Sequence, residues 1–209
     1  MKTPLRITRI ARINCIALTL ALLALMLAHP LMAQPLSGQV CGDQPDTVKK
    51  HVTPPNSQVP PTLQVPPGNK LYFHVFAKGF QIYRCIPDKT DSTLFSWVFV
   101  APAADLYIHP NDRRPAGRHF GGTTWESTDG SKVVGAKLQQ ADAPDTNAIP
   151  WLLLRSASVS GSGIFGKTSF IQRINTKGGK PPSLPADRTH LGQEVQVPYT
   201  AEYYFYQAQ

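Results

Sequence analysis

The stretch that decides the fold is TTWESTDGSKVVGAKL, residues 123–138. Two runs rich in β-branched and aromatic residues, 123–128 and 131–138, flank the dipeptide Asp129-Gly130. This dipeptide is the strongest short signal for a tight hairpin, because both central positions of a type I′ turn need a positive φ. The sequence therefore predicts a β-hairpin with a type I′ turn at Asp129-Gly130.

The two faces of this hairpin carry different chemistry. Trp125 and Glu126 are consecutive, and consecutive residues of a strand point to opposite sides of a sheet. If Trp125 is buried, Glu126 lies in solvent or pairs with Lys132 across the hairpin, since opposite charges often face each other on adjacent strands.

The chain on either side of the hairpin has the same β character. Short aromatic and β-branched runs are bounded by Gly, Pro or Asp, and no segment after the first 33 residues shows an apolar stripe of helical period. The runs are 71–77, 80–86, 94–101, 104–109, 149–159, 167–176 and 197–206. About ten short strands at this spacing predict an all-β fold, a single antiparallel β-sandwich or barrel over residues 68–209.

Two segments precede this domain. Residues 1–33 combine a basic start with the apolar run Cys15–Ala28, the order of a secretory signal peptide cleaved after Ala33. We therefore expect an exported protein, periplasmic or secreted, without stable membrane insertion. Residues 34–67 contain eight prolines, which fix φ and remove amide donors. This composition predicts an extended Pro-rich arm or linker.

The charge of the chain argues against a nucleic-acid partner, and its cysteines allow a disulfide. The net charge of the whole chain is +8, but four basic residues and no acidic residue lie in the predicted signal peptide. The mild remaining excess is spread along the chain without a basic run, so we expect no nucleic-acid partner. Export would place Cys41 and Cys85 in an oxidising compartment, where they form a disulfide if they are within reach and remain free thiols otherwise.

The candidate chemical groups cluster in residues 117–135. Glu126 and Asp129 could act as the paired carboxylates of a hydrolase, with His119 as the assisting base. The structural alternatives are that Asp129 stabilises the turn and that His119 only hydrogen-bonds a loop. As a binding site, the same block offers His119, Trp125 and Glu126 as ligand contacts.

Other motifs do not support a cofactor or a metal. GSGIFG, residues 161–166, matches the dinucleotide pattern GxGxxG, but the chain after it is too short and β-branched for the required helix. We expect a glycine-rich hairpin loop there and no cofactor. The histidines show no local metal-binding spacing, so we expect no metal, although a site built across strands from His109 and His119 stays open.

Six blocks taken in order resemble one family. They are GFQIYRC (79–85), WVFVAPAADL (97–106), GRHFGGTTWESTDGSKVVG (117–135), IPWLLL (149–154), SFIQRINTKGGKP (169–181) and VPYTAEYYFY (197–206). Together they resemble domain of unknown function 3455, an exported bacterial and fungal family, over residues 62–206. The resemblance implies a signal-bearing, β-rich single domain without an established activity. It also implies a cysteine after the GG-x-P segment that could partner Cys85; residues 180–192 have none here, so Cys41 could take its place.

Three functional hypotheses follow. The leading one is a non-enzymatic, exported binding or envelope-associated protein, whose glycan or small-molecule ligand lies near residues 117–129. The alternative is a secreted hydrolase acting on a cell-surface or plant-derived polymer. The third is a structural interaction module that uses an aromatic surface on the terminal strand 197–206. The sequence leaves the oligomeric state open.

Overall fold

The protein is described by a computed structural model that covers residues 59–209. Eight antiparallel strands close into one barrel, and each strand pairs with its neighbours in the sequence. The strands are β1 Asn69–Pro87, β2 Phe95–Tyr107, β3 Gly117–Phe120, β4 Thr124–Ser127, β5 Lys132–Ala141, β6 Trp151–Ser160, β7 Phe170–Gly178 and β8 Glu194–Ala208. Short 3₁₀ segments occur at Pro61–Leu63, Ile164–Lys167 and Arg188–His190. The predicted all-β sandwich or barrel is confirmed, as a barrel.

Pairing of the first strand with the last closes the ring. β1 and β8 are in register from Asn69 opposite Ala208 to Arg84 opposite Glu194. This long ladder leaves neither strand with a free edge along most of its length, and full closure is the arrangement that removes sheet edges.

Fewer strands form than the sequence predicts, because two apparent breaks lie inside strands. β1 runs straight through Gly79, where an added Cβ would lie 2.2 Å from the carbonyl oxygen of Ala103. Glycine therefore permits a close approach of β1 and β2. β2 likewise contains Pro102, in a part of the strand that pairs only with β1.

The interior is built on side chains of every strand. Fourteen buried residues form the main core, and they include Trp125, Tyr203 and Phe205 at 1% exposure or less. Gly135 lies beside Trp125, where a Cβ would come within 3.0 Å of the indole and 3.1 Å of Leu154. The large rings of β4 and β8 thus occupy space that a small residue on β5 leaves free.

A second apolar cluster lies on the outside of the barrel. The end of the Pro-rich segment packs over β6–β8, with Leu63 fully buried against a cluster that includes Trp151 and Tyr204. Gln172 on β7 donates a hydrogen bond to the carbonyl oxygen of Leu63 at 2.5 Å. Its side-chain oxygen accepts one from Tyr206 at 2.8 Å.

This cover changes the expectation for the terminal strand. The prediction of an aromatic surface on residues 197–206 is wrong. The four consecutive aromatic side chains there are all at most 9% exposed: Tyr203, Tyr204, Phe205 and Tyr206. Tyr203 and Phe205 point into the barrel, while Tyr204 and Tyr206 lie beneath the 59–65 segment.

The deciding hairpin is confirmed, but its turn differs from the predicted type. Three residues, Thr128, Asp129 and Gly130, lie between Ser127 and Ser131, whose backbones are hydrogen-bonded to each other at the end of β4 and just before β5. Gly130 alone has a positive φ, of 82°, and its N–H donates to the carbonyl oxygen of Ser127 at 3.0 Å. A type I turn followed by a left-handed glycine is the usual three-residue hairpin loop. It replaces the predicted type I′ turn because Ser127 and Ser131 close the hairpin. A two-residue turn at Asp129-Gly130 would instead be closed by Thr128 and Ser131.

The remaining sequence predictions fall partly outside the described residues. The signal peptide, Cys41, His51 and residues 34–58 of the Pro-rich arm lie there, so those predictions stand as made. Within residues 59–209, no helix has the length and apolar character needed to cross a membrane.

Candidate functional site

His119 and Trp125, two of the predicted ligand contacts, point into the barrel. They face each other on β3 and β4, and their rings stack with centroids 4.3 Å apart and planes 7° apart. Tyr203 of β8 meets both rings edge-on, at 5.1 Å and 5.2 Å. His119 is 3% exposed and Trp125 is 1% exposed, so neither side chain is open to a ligand arriving from solvent.

Burial also decides the protonation of His119. Its Nδ1 lies 2.9 Å from the carbonyl oxygen of Thr124. A carbonyl oxygen only accepts, so Nδ1 carries the hydrogen and donates a hydrogen bond to that oxygen. Desolvation lowers the pKa of His119 to about 3; the contact with Thr124 acts in the opposite direction, and the positive charge of Arg173 adds to the lowering. The imidazole is therefore neutral at physiological pH.

Glu126 lies on the opposite, outer face of the same strand. It is directly opposite Arg118 on β3 and Lys132 on β5. Its carboxylate oxygens lie 3.3 Å from Lys132 Nζ and 3.7 Å from Arg118 Nη2. The cross-strand pairing of Glu126 with Lys132 is thus present, with Arg118 as a second cation.

Asp129 is engaged by the turn and by the β6–β7 connection. Its Oδ1 accepts hydrogen bonds from Ser131 N at 2.8 Å and Ser131 Oγ at 2.5 Å. Its Oδ2 accepts one from Ile164 N at 2.8 Å. Hydrogen bonds from Ser131, followed by that from Ile164, lower the pKa of Asp129 to about 2, so the carboxylate is ionised at any ordinary pH.

The predicted residues therefore do not converge on one place. His119 and Trp125 lie in the interior, Glu126 on the outer face, and Asp129 in the β4–β5 turn. His109 is exposed in the β2–β3 loop, away from the interior position of His119. The described part of the chain contains no group of three or more His, Cys, Asp or Glu side chains able to hold a metal ion.

A cleft on the outer face adjoins the predicted region instead. It consists of three depressions that share Lys78 of β1, with volumes of about 440, 690 and 700 Å³. The first depression is bordered by Arg118, His119 and Phe120 of β3. The other two extend across β1 and β8 to Lys177 on β7. We call these three depressions the outer cleft.

Strand register explains the charge along the outer cleft. Thr200 on β8 lies directly between Lys177 and Lys78, and Asp105 on β2 lies directly between Lys78 and Arg118. Two strand spacings separate the backbones of the two lysines by about 10 Å. Neither lysine forms an ion pair or a side-chain hydrogen bond with another residue in 59–209.

Aromatic side chains border the same cleft. Phe80 is 40% exposed on the outer face of β1, next to Lys78. Tyr107 lines two of the three depressions, and Phe120 lines the one next to β3. The depression of about 690 Å³ is lined by Phe80, by Lys78 and Lys177, and by the single carboxylate Asp105, so it combines an apolar surface with a net positive charge.

One end of the cleft holds an anionic group that the sequence did not suggest. Glu202 Oε2 lies 2.9 Å from His74 Nε2 and accepts a hydrogen bond from Tyr204 Oη at 2.8 Å. Asn175, at a left-handed φ of 51°, donates to Glu202 Oε1 at 3.1 Å. Burial acts to raise the pKa of Glu202, but the contacts with His74, Tyr204 and Asn175 outweigh it and leave the pKa below its ordinary value.

Sequence reasoning missed this cleft because its residues are not neighbours in the chain. Lys78, Lys177 and Glu202 come from three strands and meet only through the pairing of β1, β7 and β8. The local signal that was present is the outward position of Lys78 and Phe80 in β1, two residues apart on one face of a strand.

Cys85 is buried at the opposite side of β1 from this cleft. Its Sγ lies 3.6 Å from the carbonyl oxygen of Asp187. Asp187 belongs to residues 180–192, the segment in which the family resemblance implies a partner cysteine that this chain lacks. Cys41 lies outside the described residues, so its disulfide with Cys85 remains a prediction.

Of the comparisons with known proteins, one identifies a family and the others find no relative. No curated protein and no solved structure matches the chain. A family described as a protein of unknown function, DUF3455, matches residues 66–207, which is more than half of the sequence. The eight-stranded barrel and its outer cleft both lie almost wholly within those residues. The chain therefore belongs to the DUF3455 family.

Proposed function

We propose that the protein is a non-enzymatic, exported or envelope-associated binding protein whose ligand lies in the outer cleft. The observation that carries this proposal is the combination of Lys78 and Lys177, which form no ion pair within residues 59–209, with the exposed ring of Phe80 in one accessible depression. The cleft borders β3, so it adjoins the 117–129 region in which the sequence predicts a ligand site.

The chemistry of the cleft favours an acidic glycan. Ammonium groups make charge-assisted hydrogen bonds to carboxylates, and two lysines about 10 Å apart can bind acid groups on separate sugar units. The ring of Phe80 offers an apolar surface for a sugar face. Asp105, opposite Lys78, accepts hydrogen bonds and suits sugar hydroxyls.

The hydrolase alternative has less support. An acid/base pair needs one carboxyl group that can hold a proton near neutral pH and a second group close to it. Asp129 has a pKa of about 2 and its oxygens are occupied by Ser131 and Ile164. Glu126 faces two cations on the outer surface, and the buried His119 is on the other side of the sheet.

Isothermal titration calorimetry with oligogalacturonate tests the ligand site. We expect saturable binding that weakens with salt, and a loss of about five- to tenfold in affinity for Lys78→Gln or Phe80→Ala. Lys137→Gln and Leu138→Ala are matched controls, because both residues are exposed on β5 away from the cleft. Equal losses in the control variants, or tighter binding of a neutral cello-oligosaccharide, would contradict an acidic-glycan site.

Two further measurements address the other parts of the proposal. Mass spectrometry of oligogalacturonate after long incubation with the protein should show no shortened or rearranged product; catalytic turnover would overturn the non-enzymatic assignment.

Cell fractionation with N-terminal sequencing should find the protein outside the cytoplasm and starting at Gln34. An intact, cytoplasmic N-terminus would overturn export.

A further inference from the structure

The interior of the barrel contains a polar group at the end near β1, β7 and β8. Three of its side chains are 3% exposed or less: Gln81, Tyr199 and Tyr203. Arg173 lies directly opposite Tyr203 in the β7–β8 ladder and is the cation of the group. These four residues are distinct from the outer cleft, because their side chains occupy the other face of the sheet.

Three donors of this group form no hydrogen bond of normal geometry, although Tyr199 lies close to both Tyr203 and Gln81, and Tyr203 lies close to Arg173. Gln81 Nε2, Tyr199 Oη and Tyr203 Oη are buried without a hydrogen bond of normal geometry to any residue in 59–209. Trp125 Nε1, on the ring next to Tyr203, is in the same state. A buried donor left unpaired costs about 1–3 kcal/mol, and native proteins contain few of them.

Arg173 supplies a charge that no described acidic group balances. Its Nε and Nη2 donate to the carbonyl oxygen of Pro150, at 3.2 Å and 2.8 Å, and it forms no ion pair with a carboxylate of residues 59–209. A guanidinium cannot release its proton, so the charge remains. The neighbouring phenols do not compensate it, because burial raises the pKa of both Tyr199 and Tyr203 and keeps them neutral.

Gly179 packs tightly against this group. It has a φ of +81°, and an added Cβ there would lie 2.8 Å from Tyr199 Cβ and 3.1 Å from Gln81 Cγ. Glycine at this position therefore lets Gln81 and Tyr199 pack against its backbone. Arg173 is only partly buried and reaches towards Pro150, which offers a path from solvent to the group.

We propose that this end of the barrel interior binds a small carboxylate-sized anion, held by Arg173 with Tyr203, Tyr199 and Gln81. One anion satisfies both observations at once: it balances the guanidinium and accepts the hydrogen bonds that the buried donors lack. A carboxylate has about four lone-pair positions in one plane, which matches a guanidinium and two hydroxyls. Ordered water would pair the donors but would leave the charge uncompensated.

Thermal unfolding of the purified full-length protein in sodium formate tests the site. At constant ionic strength set with sodium chloride, we expect a saturable rise in Tm with formate for the unmodified protein. Arg173→Gln should abolish this rise, and Tyr203→Phe or Tyr199→Phe should weaken the apparent affinity by roughly tenfold. Arg155→Gln, an exposed arginine on β6, and Lys78→Gln, in the outer cleft, should respond like the unmodified protein.

The Tyr203→Phe and Tyr199→Phe variants, which each remove one hydroxyl group, keep the test decisive if Arg173→Gln does not fold. Crystals soaked in sodium bromide give a direct second measurement, because anomalous scattering locates the halide. A peak beside Arg173 supports the site. An absence of formate response together with water alone beside Arg173 would overturn it, as would an unchanged response in both tyrosine variants. Failure here leaves the outer cleft untouched, since Lys78→Gln reports on that site separately.

Discussion

The imidazole of His119 lies flat against the indole of Trp125 inside the barrel, with 4.3 Å between the ring centroids. The two residues are cross-strand partners on β3 and β4, and Tyr203 packs against the edge of the pair. Both belong to the region in which the sequence predicts ligand contacts, yet each contacts the other. The role of His119 is therefore tested first by measuring the free energy of unfolding.

His119 should make the protein sensitive to mild acid. The unfolded chain takes up a proton on this residue near pH 6.5, whereas the folded chain resists protonation down to about pH 3. Stability attributable to neutral His119 is therefore present above pH 6.5 and is lost progressively as pH falls towards 3. Between pH 7 and pH 5 the loss is about 2 kcal/mol.

Urea denaturation of the unmodified protein and His119→Gln at both pH values measures this loss. The glutamine variant should show a smaller fall in the free energy of unfolding, by about 2 kcal/mol. Other histidines are common to both proteins and cancel in the comparison. Parallel pH dependence of the two proteins would mean that the pKa of His119 is the same in the folded and unfolded states.

Gly135→Ala should destabilise the barrel by about 1–3 kcal/mol, because the new methyl group would press on Trp125, Leu154 and Ile171. Gly121→Ala is the matched control, since its Cβ would meet only Ala101, at 4.0 Å. Urea midpoints measured with unchanged m-values give the comparison. Similar midpoints for the two variants would show that the interior accommodates the methyl group.

Asp129→Ala should lower the free energy of unfolding by about 1–2 kcal/mol, because Ser131 N and Ile164 N lose their acceptor. Asp142→Ala serves as the control, being exposed in the β5–β6 connection. Hydrogen exchange adds a local readout: the amide of Ile164 should exchange faster in Asp129→Ala. Unchanged protection of that amide would remove Asp129 from its role in holding the β6–β7 connection.

Leu63→Ala should destabilise the protein by about 2–5 kcal/mol, although Leu63 precedes the matched family region. The side chain is fully buried on the outside of β6–β8, so its truncation leaves a cavity. Leu184→Ala is the control, because Leu184 is 45% exposed. Thermal and urea unfolding measure the stability of both variants. If Leu63→Ala is as stable as Leu184→Ala, the 59–65 segment does not contribute to the stability of the folded state.

The fold was largely predictable from local chemistry. Glycine and proline punctuation with aromatic and β-branched runs gave the all-β class, and the alternation of Trp125 and Glu126 gave their opposite faces. Strand number was not predictable, because Gly79 and Pro102 are also common between strands. Gly79 lies in β1 where β2 approaches closely, and Pro102 in a stretch of β2 with one partner strand. A sheet tolerates both residues in such places.

The site was less predictable, because its residues meet only through register. Glu126 and Lys132 are close in sequence, and their pairing was foreseen. Lys78 and Lys177 are far apart in the chain and flank Thr200 only because β1 and β7 both pair with β8. Arg173 opposite Tyr203 is the same case in the interior. A single sequence contains no signal for such long-range pairing.

Pairing of β1 with β8 has a consequence for the timing of folding. β8 is the last strand to leave the ribosome, and it supplies four of the buried core residues: Tyr199, Ala201, Tyr203 and Phe205. The ring therefore cannot close before β8 has left the ribosome, and loop closure over nearly the whole barrel must precede the stabilising contacts. The nascent barrel therefore stays open, with its β1 edge unpaired on the β8 side, until β8 emerges.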